Sequence, residues 1–96
     1  MIIIELSVVP VGTGSTGVSQ FVKTAIELIK KSGLKYAVNP MGTCIEGEWE
    51  KVFSVVKEIH DTLAQMGCAR LLTTIKIDDR RDKPQTMEIK VAKVTN

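Results

Sequence analysis

The order in which apolar residues change period along this chain limits its possible folds more than any other feature. Ile2 to Val9 alternates, with Ile2, Ile4, Leu6 and Val8 on one side and Ile3, Glu5, Ser7 and Val9 on the other. Its β-branched residues favour a strand that Pro10 ends. After a Gly/Ser/Thr segment, Gly12 to Gly17, the residues Val18, Phe21, Val22, Ala25, Ile26 and Ile29 recur at helical spacing, and Gly33 supplies a stop. Leu34 to Asn39 is extended again. Asn39-Pro40-Met41-Gly42 has the residues of a type I turn, so Thr43 to Glu46 returns as a hairpin strand. Trp49, Val52, Phe53, Val56, His60 and Leu63 mark a second helix, with Glu48 and Glu50 at its start and Gly67 at its end. Arg70 to Asp79 is a fourth strand. In the tail, Met87 to Val91 alternates like a strand, but Asp82, Pro84 and Gln85 form a helix start, which favours a short C-terminal helix.

The resulting β-α-β-β-α-β order is the split βαβ pattern of an α+β, ferredoxin-like fold. Right-handed crossovers put both helices on one face of a four-stranded antiparallel sheet. The other face is expected to lack cover within the chain while still carrying apolar groups, either Ile3 and Val9 or Leu72 beside Thr74. Such a face marks an interaction surface, and we expect homo-oligomerisation through it. The 96 residues suit one domain, 1–96.

Charge and cysteine content narrow the function classes. Thirteen Lys and Arg against eleven Asp and Glu leave a net charge of +2, which is no field for a nucleic-acid backbone. Phe21, Tyr36, Trp49 and Phe53 are the aromatic residues, and the first and third strands carry none, so the base-stacking platform of an RNA-recognition module is missing. Cys44 and Cys68 are too few for a disulfide framework, and with His60 they form no zinc motif; reduced, core-filling thiols in a cytoplasmic protein are expected. The N-terminal apolar run is broken by Glu5 and Ser7, so neither a signal peptide nor a membrane span is expected.

Gly12, Gly14 and Gly17 spell the dinucleotide fingerprint between a strand and a helix. Asn39 stands where a ribose-binding acid belongs, however, and the second strand turns back as a hairpin. A phosphatase cradle is equally unsupported, because the loop Val11 to Gly17 has no basic residue. His60 reads as a hydrogen-bonded core histidine rather than a ligand contact, and Trp49 reads as core. The run Asp78 to Lys83 reads as a solvated charged turn, with an anion clamp or subunit contact as its functional rival.

Topology gathers the strongest cluster. The first and second strands run parallel in this fold, so the Gly/Ser/Thr loop and the Asn39–Thr43 turn meet at one end of the sheet. Ser15, Thr16, Ser19, Asn39 and Thr43 then converge as neutral donors and acceptors, with Glu46 about 10 Å further along the third strand. This set suits a heteroaromatic ligand better than catalysis, because it holds no nucleophile–base pair. Alternatively, the same residues cap the helix and shape the turn.

Four blocks carry a family resemblance: Val9-Pro10-Val11-Gly12-Thr13-Gly14; Ser32-Gly33-Leu34-Lys35-Tyr36; Pro40-Met41-Gly42-Thr43 with Ile45-Glu46-Gly47-Glu48; and Thr73 to Asp82. In this order they resemble the small thiamine-binding, YkoF-like family over nearly the whole chain. The resemblance implies a ferredoxin-like fold, assembly into dimers and tetramers, and binding of thiamine or its hydroxymethylpyrimidine moiety without turnover or a cofactor. On that basis Asn39, Thr43 or Glu46 would meet the aminopyrimidine, Glu46 or an aromatic face the thiazolium cation, and the helix start near Ser15 and Ser19 any phosphate. No nucleic-acid or membrane partner is expected.

Overall fold

The expected periods are realised in a computed structural model that describes residues 1–12, 14 and 18–95. The elements are β1 (Ile2–Pro10), α1 (Ser19–Lys31), β2 (Lys35–Asn39), β3 (Gly42–Gly47), α2 (Trp49–Gln65), β4 (Leu71–Asp78) and α3 (Met87–Thr95). The strands form one sheet in the order β2-β3-β1-β4, each neighbouring pair antiparallel, which is the ferredoxin-like α+β arrangement. Helices α1 and α2 stop where glycine takes over. Gly33 and Gly67 adopt φ of 76° and 105°, a region unfavourable to residues with a Cβ.

Register decides which side chains form the core. Ile2, Ile4 and Leu6 of β1 stand opposite Gly47, Ile45 and Thr43 of β3, and this parity faces the helices. Ala25 and Ile29 of α1 and Val52, Val55, Val56, Ile59 and Leu63 of α2 close over these residues, and Cys68 is buried with them. Cys44 has the opposite parity and is only partly buried, so just one of the two thiols fills the core. Trp49 also departs from expectation. It opens α2 at the margin of the helix layer, remains 38% exposed, and stacks on Phe53 one turn later at 5.6 Å between ring centroids.

The outer face of the sheet is divided. At one end Val9 and Leu72 are cross-strand partners, 46% and 58% exposed, so the expected bare apolar surface is present there. At the other end the chain supplies its own cover. Lys35, Glu46, Ile3 and Asp78 form one row across all four strands, and α3 lies over it. Glu88 accepts from Lys35 Nζ at 2.7 Å, Lys90 Nζ donates to Asp78 at 2.6 Å, and the Met87 N–H donates to Glu46 Oε1 at 2.8 Å. No residue of α3 is buried, so polar contacts hold this helix to a large extent.

Candidate functional site

The structure opens a cleft of about 320 Å³ between the start of α1, the end of β1 and the β2–β3 hairpin. Phe21, Val22 and Ile26 form its helical wall, Val8 and Val38 part of its sheet wall, and Thr43 is a polar group on its floor. The hairpin tip consists of Pro40 and Met41 between the paired Asn39 and Gly42. Neither tip residue has positive φ, in keeping with a type I turn rather than the primed turns usual in two-residue hairpins. The described cleft residues include no charged side chain, so a neutral ring can enter without stranding an ion in a low-dielectric space.

The candidate residues distribute unevenly about this cleft. Thr43 lines it and is 7% exposed, with the parity that faces the helices. Asn39 also borders it, but its amide nitrogen lies 3.5 Å from the Ala37 carbonyl and 3.5 Å from Cys44 Sγ, on the outer side of the sheet. Ser19 is the exposed first residue of α1 and does not line the cleft. Val18 precedes it as N-cap with no side-chain capping bond, and the first turn has no acidic residue. Ser15 and Thr16 lie outside the described residues.

Glu46 is not brought to the cleft. It follows Thr43 by an odd number of residues on β3, so it points to the opposite face, where it is 6% exposed beneath α3. Its other oxygen stands 3.9 Å from Lys35 Nζ. The same alternation was available from the sequence before any coordinates. The apolar wall was legible only in part, because Val18, Phe21 and Val22 share the helical stripe of the core residues. Their role as a cleft wall follows from β1 and the hairpin leaving that end of α1 unpacked.

Two other sequence expectations find their place. His60 is half-buried and its Nε2 lies 2.6 Å from Thr73 Oγ1, tying α2 to β4 as a hydrogen-bonded core histidine would. The charged turn after β4 is largely self-neutralised: Arg80 Nε donates to Asp82 at 2.7 Å, and Arg81 Nε donates to Asp79 at 2.9 Å. Hydrogen bonds from Lys90 and then Gln85 hold the Asp78 carboxyl below the usual carboxylate range, so this turn anchors α3.

A small, uncharged cleft on a ferredoxin-like sheet describes a small-molecule binding domain more closely than a nucleic-acid or phosphoryl-transfer site. Comparison with known proteins makes this specific. Residues 4–95 match the family described as thiamine-binding protein, and the chain belongs to that family. A UPF0045 protein of Methanothermobacter thermautotrophicus is 42% identical, the match covering 98% of this chain and 96% of that one. The solved structure of hypothetical protein MJ1052 from Methanocaldococcus jannaschii superposes with a TM-score of 0.88 at 39% identity, covering 97% of this chain and 94% of that one. A Thermotoga maritima structure, described as that of a candidate thiamine biosynthesis or salvage protein, gives a TM-score of 0.82 at 33% identity, with 96% of each chain covered. Among the described residues no helix is long and apolar enough to cross a membrane.

Proposed function

We propose that this protein binds thiamine, or its hydroxymethylpyrimidine portion, reversibly and without turnover, with the pyrimidine ring in the cleft between α1 and the β2–β3 hairpin. The observation that carries this reading is a cleft of about 320 Å³ whose described lining carries no charge and includes Thr43, a residue only 7% exposed, in a chain of the thiamine-binding family. An aminopyrimidine presents a donor amine beside acceptor nitrogens, and the Thr43 hydroxyl can serve either. Asn39 supplies an amide as the second polar group once its side chain turns from Cys44 toward the ring. The thiazolium, a fixed cation, stays at the mouth, where water solvates it. A phosphorylated form would extend toward Ser19, with Ser15 and Thr16, where the helix start carries no acidic residue. In this reading Glu46 serves α3 rather than the ligand.

The protein would act in the cytoplasm as a single-domain carrier, buffer or sensor in thiamine metabolism, assembled as a homotetramer, a dimer of dimers, with the Val9–Leu72 end of the sheet as one of its interfaces. Isothermal titration of thiamine and of hydroxymethylpyrimidine tests the ligand. Both are expected to bind wild type, and Thr43→Val, which removes the hydroxyl while keeping the volume, weakens both by about tenfold. Absence of heat with either compound at millimolar concentration overturns the reading. The exposed Val9–Leu72 pair favours a second reading, a structural or regulatory homo-oligomer that acts through a protein partner. Assembly that persists in a protein indifferent to both compounds would favour it.

A further inference from the structure

The tip of the β2–β3 hairpin carries a side chain out of keeping with a solvent loop. Met41 is 85% exposed although it borders the cleft, and the exposed Val22 and Val38 border the same cleft from the helix and the sheet. Three exposed apolar side chains about one cleft form a patch rather than scattered singles. The backbone beneath Met41 is constrained: Pro40 fixes φ on one side, and the Asn39–Gly42 pair closes the hairpin on the other. The Met41 side chain itself is free, with three rotatable bonds and a polarizable sulfur that makes favourable contacts with aromatic rings. A rigid mount, a flexible apolar arm and an apolar opening together describe a cover.

We infer that Met41 is a mobile cover that folds over a planar ring in the α1–hairpin cleft and selects for aromatic ligands, an inference that rests on that cleft being the ligand site. In the unliganded protein the arm stands in water. When a ring enters, the thioether closes on it, and apolar surface on both leaves the solvent. Because Met41 packs so little on the rest of the protein, its replacement alters binding and leaves the fold alone.

Methyl-13C methionine labelling tests this. The chain has four methionines, Met1, Met41, Met66 and Met87, and the signal missing from Met41→Leu identifies Met41. The probes are thiamine, hydroxymethylpyrimidine and aniline, a neutral benzene ring bearing only an amine. The expected result is an upfield, ring-current shift of the Met41 methyl, binding about tenfold weaker in Met41→Ala, binding within about threefold of wild type in Met41→Leu, and unchanged melting of both unliganded variants. A probe that binds Met41→Ala as tightly as wild type and leaves the Met41 methyl unmoved overturns the inference. So does a Met41 signal that shifts with protein concentration alone, which would mean that a second copy covers it. Binding of aniline with a Met41 shift, but of neither pyrimidine compound, supports the cover and overturns the thiamine reading. If none of the three binds, both fall.

Discussion

Replacing Glu46 with alanine removes the acceptor that holds the Met87 N–H, and the consequence can be worked from the geometry. The bond is 2.8 Å long, and the carboxylate that makes it is 6% exposed. A hydrogen bond to a charged partner contributes about 1.5–3 kcal/mol. The remaining ties, Lys35 to Glu88 and Lys90 to Asp78, lie at the surface and are screened by water and salt. Helix α3 has nine residues, too few to persist undocked, and buries none of them. Weakening its attachment therefore raises the population of a state in which α3 is both released and unwound.

Native-state hydrogen exchange reads that population directly. In Glu46→Ala the amides of α3 from Lys90 onward are expected to exchange about 10- to 150-fold faster, the range given by 1.5–3 kcal/mol, while core amides of β1 and α2 shift far less. Glu46→Gln retains an acceptor oxygen and should fall between. Thiamine affinity should stay within about twofold, because the cleft is on the other face of the sheet. Unchanged α3 exchange refutes the hold of Glu46 on α3. If affinity collapses while α3 stays protected, Glu46 is a ligand contact after all.

Acid should release α3 as well. Hydrogen bonds from Lys90 to Asp78 and from Lys35 to Glu88 hold both carboxyls below their usual range, so their stabilisation is present above the unfolded pKa and is lost as pH falls through the folded one. The bond with Glu88 raises Lys35, whose contribution is complete below its unfolded pKa and disappears as pH rises through the folded value. Docking of α3 is therefore strongest between about pH 5 and pH 10 and weakens progressively as pH falls below about 4, and α3 protection as high at pH 3 as at pH 6, after correction for intrinsic exchange, contradicts this. Ile45→Ala empties a site with no solvent exposure at the centre of β3 and should destabilise by about 2–5 kcal/mol, lowering Tm by roughly 10 °C or more; a drop of only a few degrees would show that the core collapses into the gap. Leu72→Glu places a charge on the bare end of the sheet and should reduce the sedimenting mass if copies assemble there, whereas an unchanged mass excludes that surface.

Much of the fold was legible because its determinants are local. The alternation of Ile2, Ile4 and Leu6, the helical stripes ending at Gly33 and Gly67, and the turn residues Asn39 to Gly42 each act within a few positions. The site was legible in part. Thr43 and Asn39 border the cleft, but only Thr43 has the parity to face it, and the period of two that places Thr43 inward sends Glu46 outward. Trp49 was misread as core because helical spacing gives a side chain's direction but not whether anything packs against that stretch of helix.

By itself the sequence determined the element order, the stop signals and hence the ferredoxin-like topology, since periodicity and backbone preference are properties of short segments. Tertiary structure decided where the tail goes. The partners that hold α3, Lys35 with Glu88 and Glu46 with Met87, stand 53 and 41 positions apart in the chain, and no local pattern encodes such a match. Only the strand register brings Lys35, Glu46 and Asp78 into one row, and only that row gives a short helix, unstable alone in water, a charged surface on which to fold.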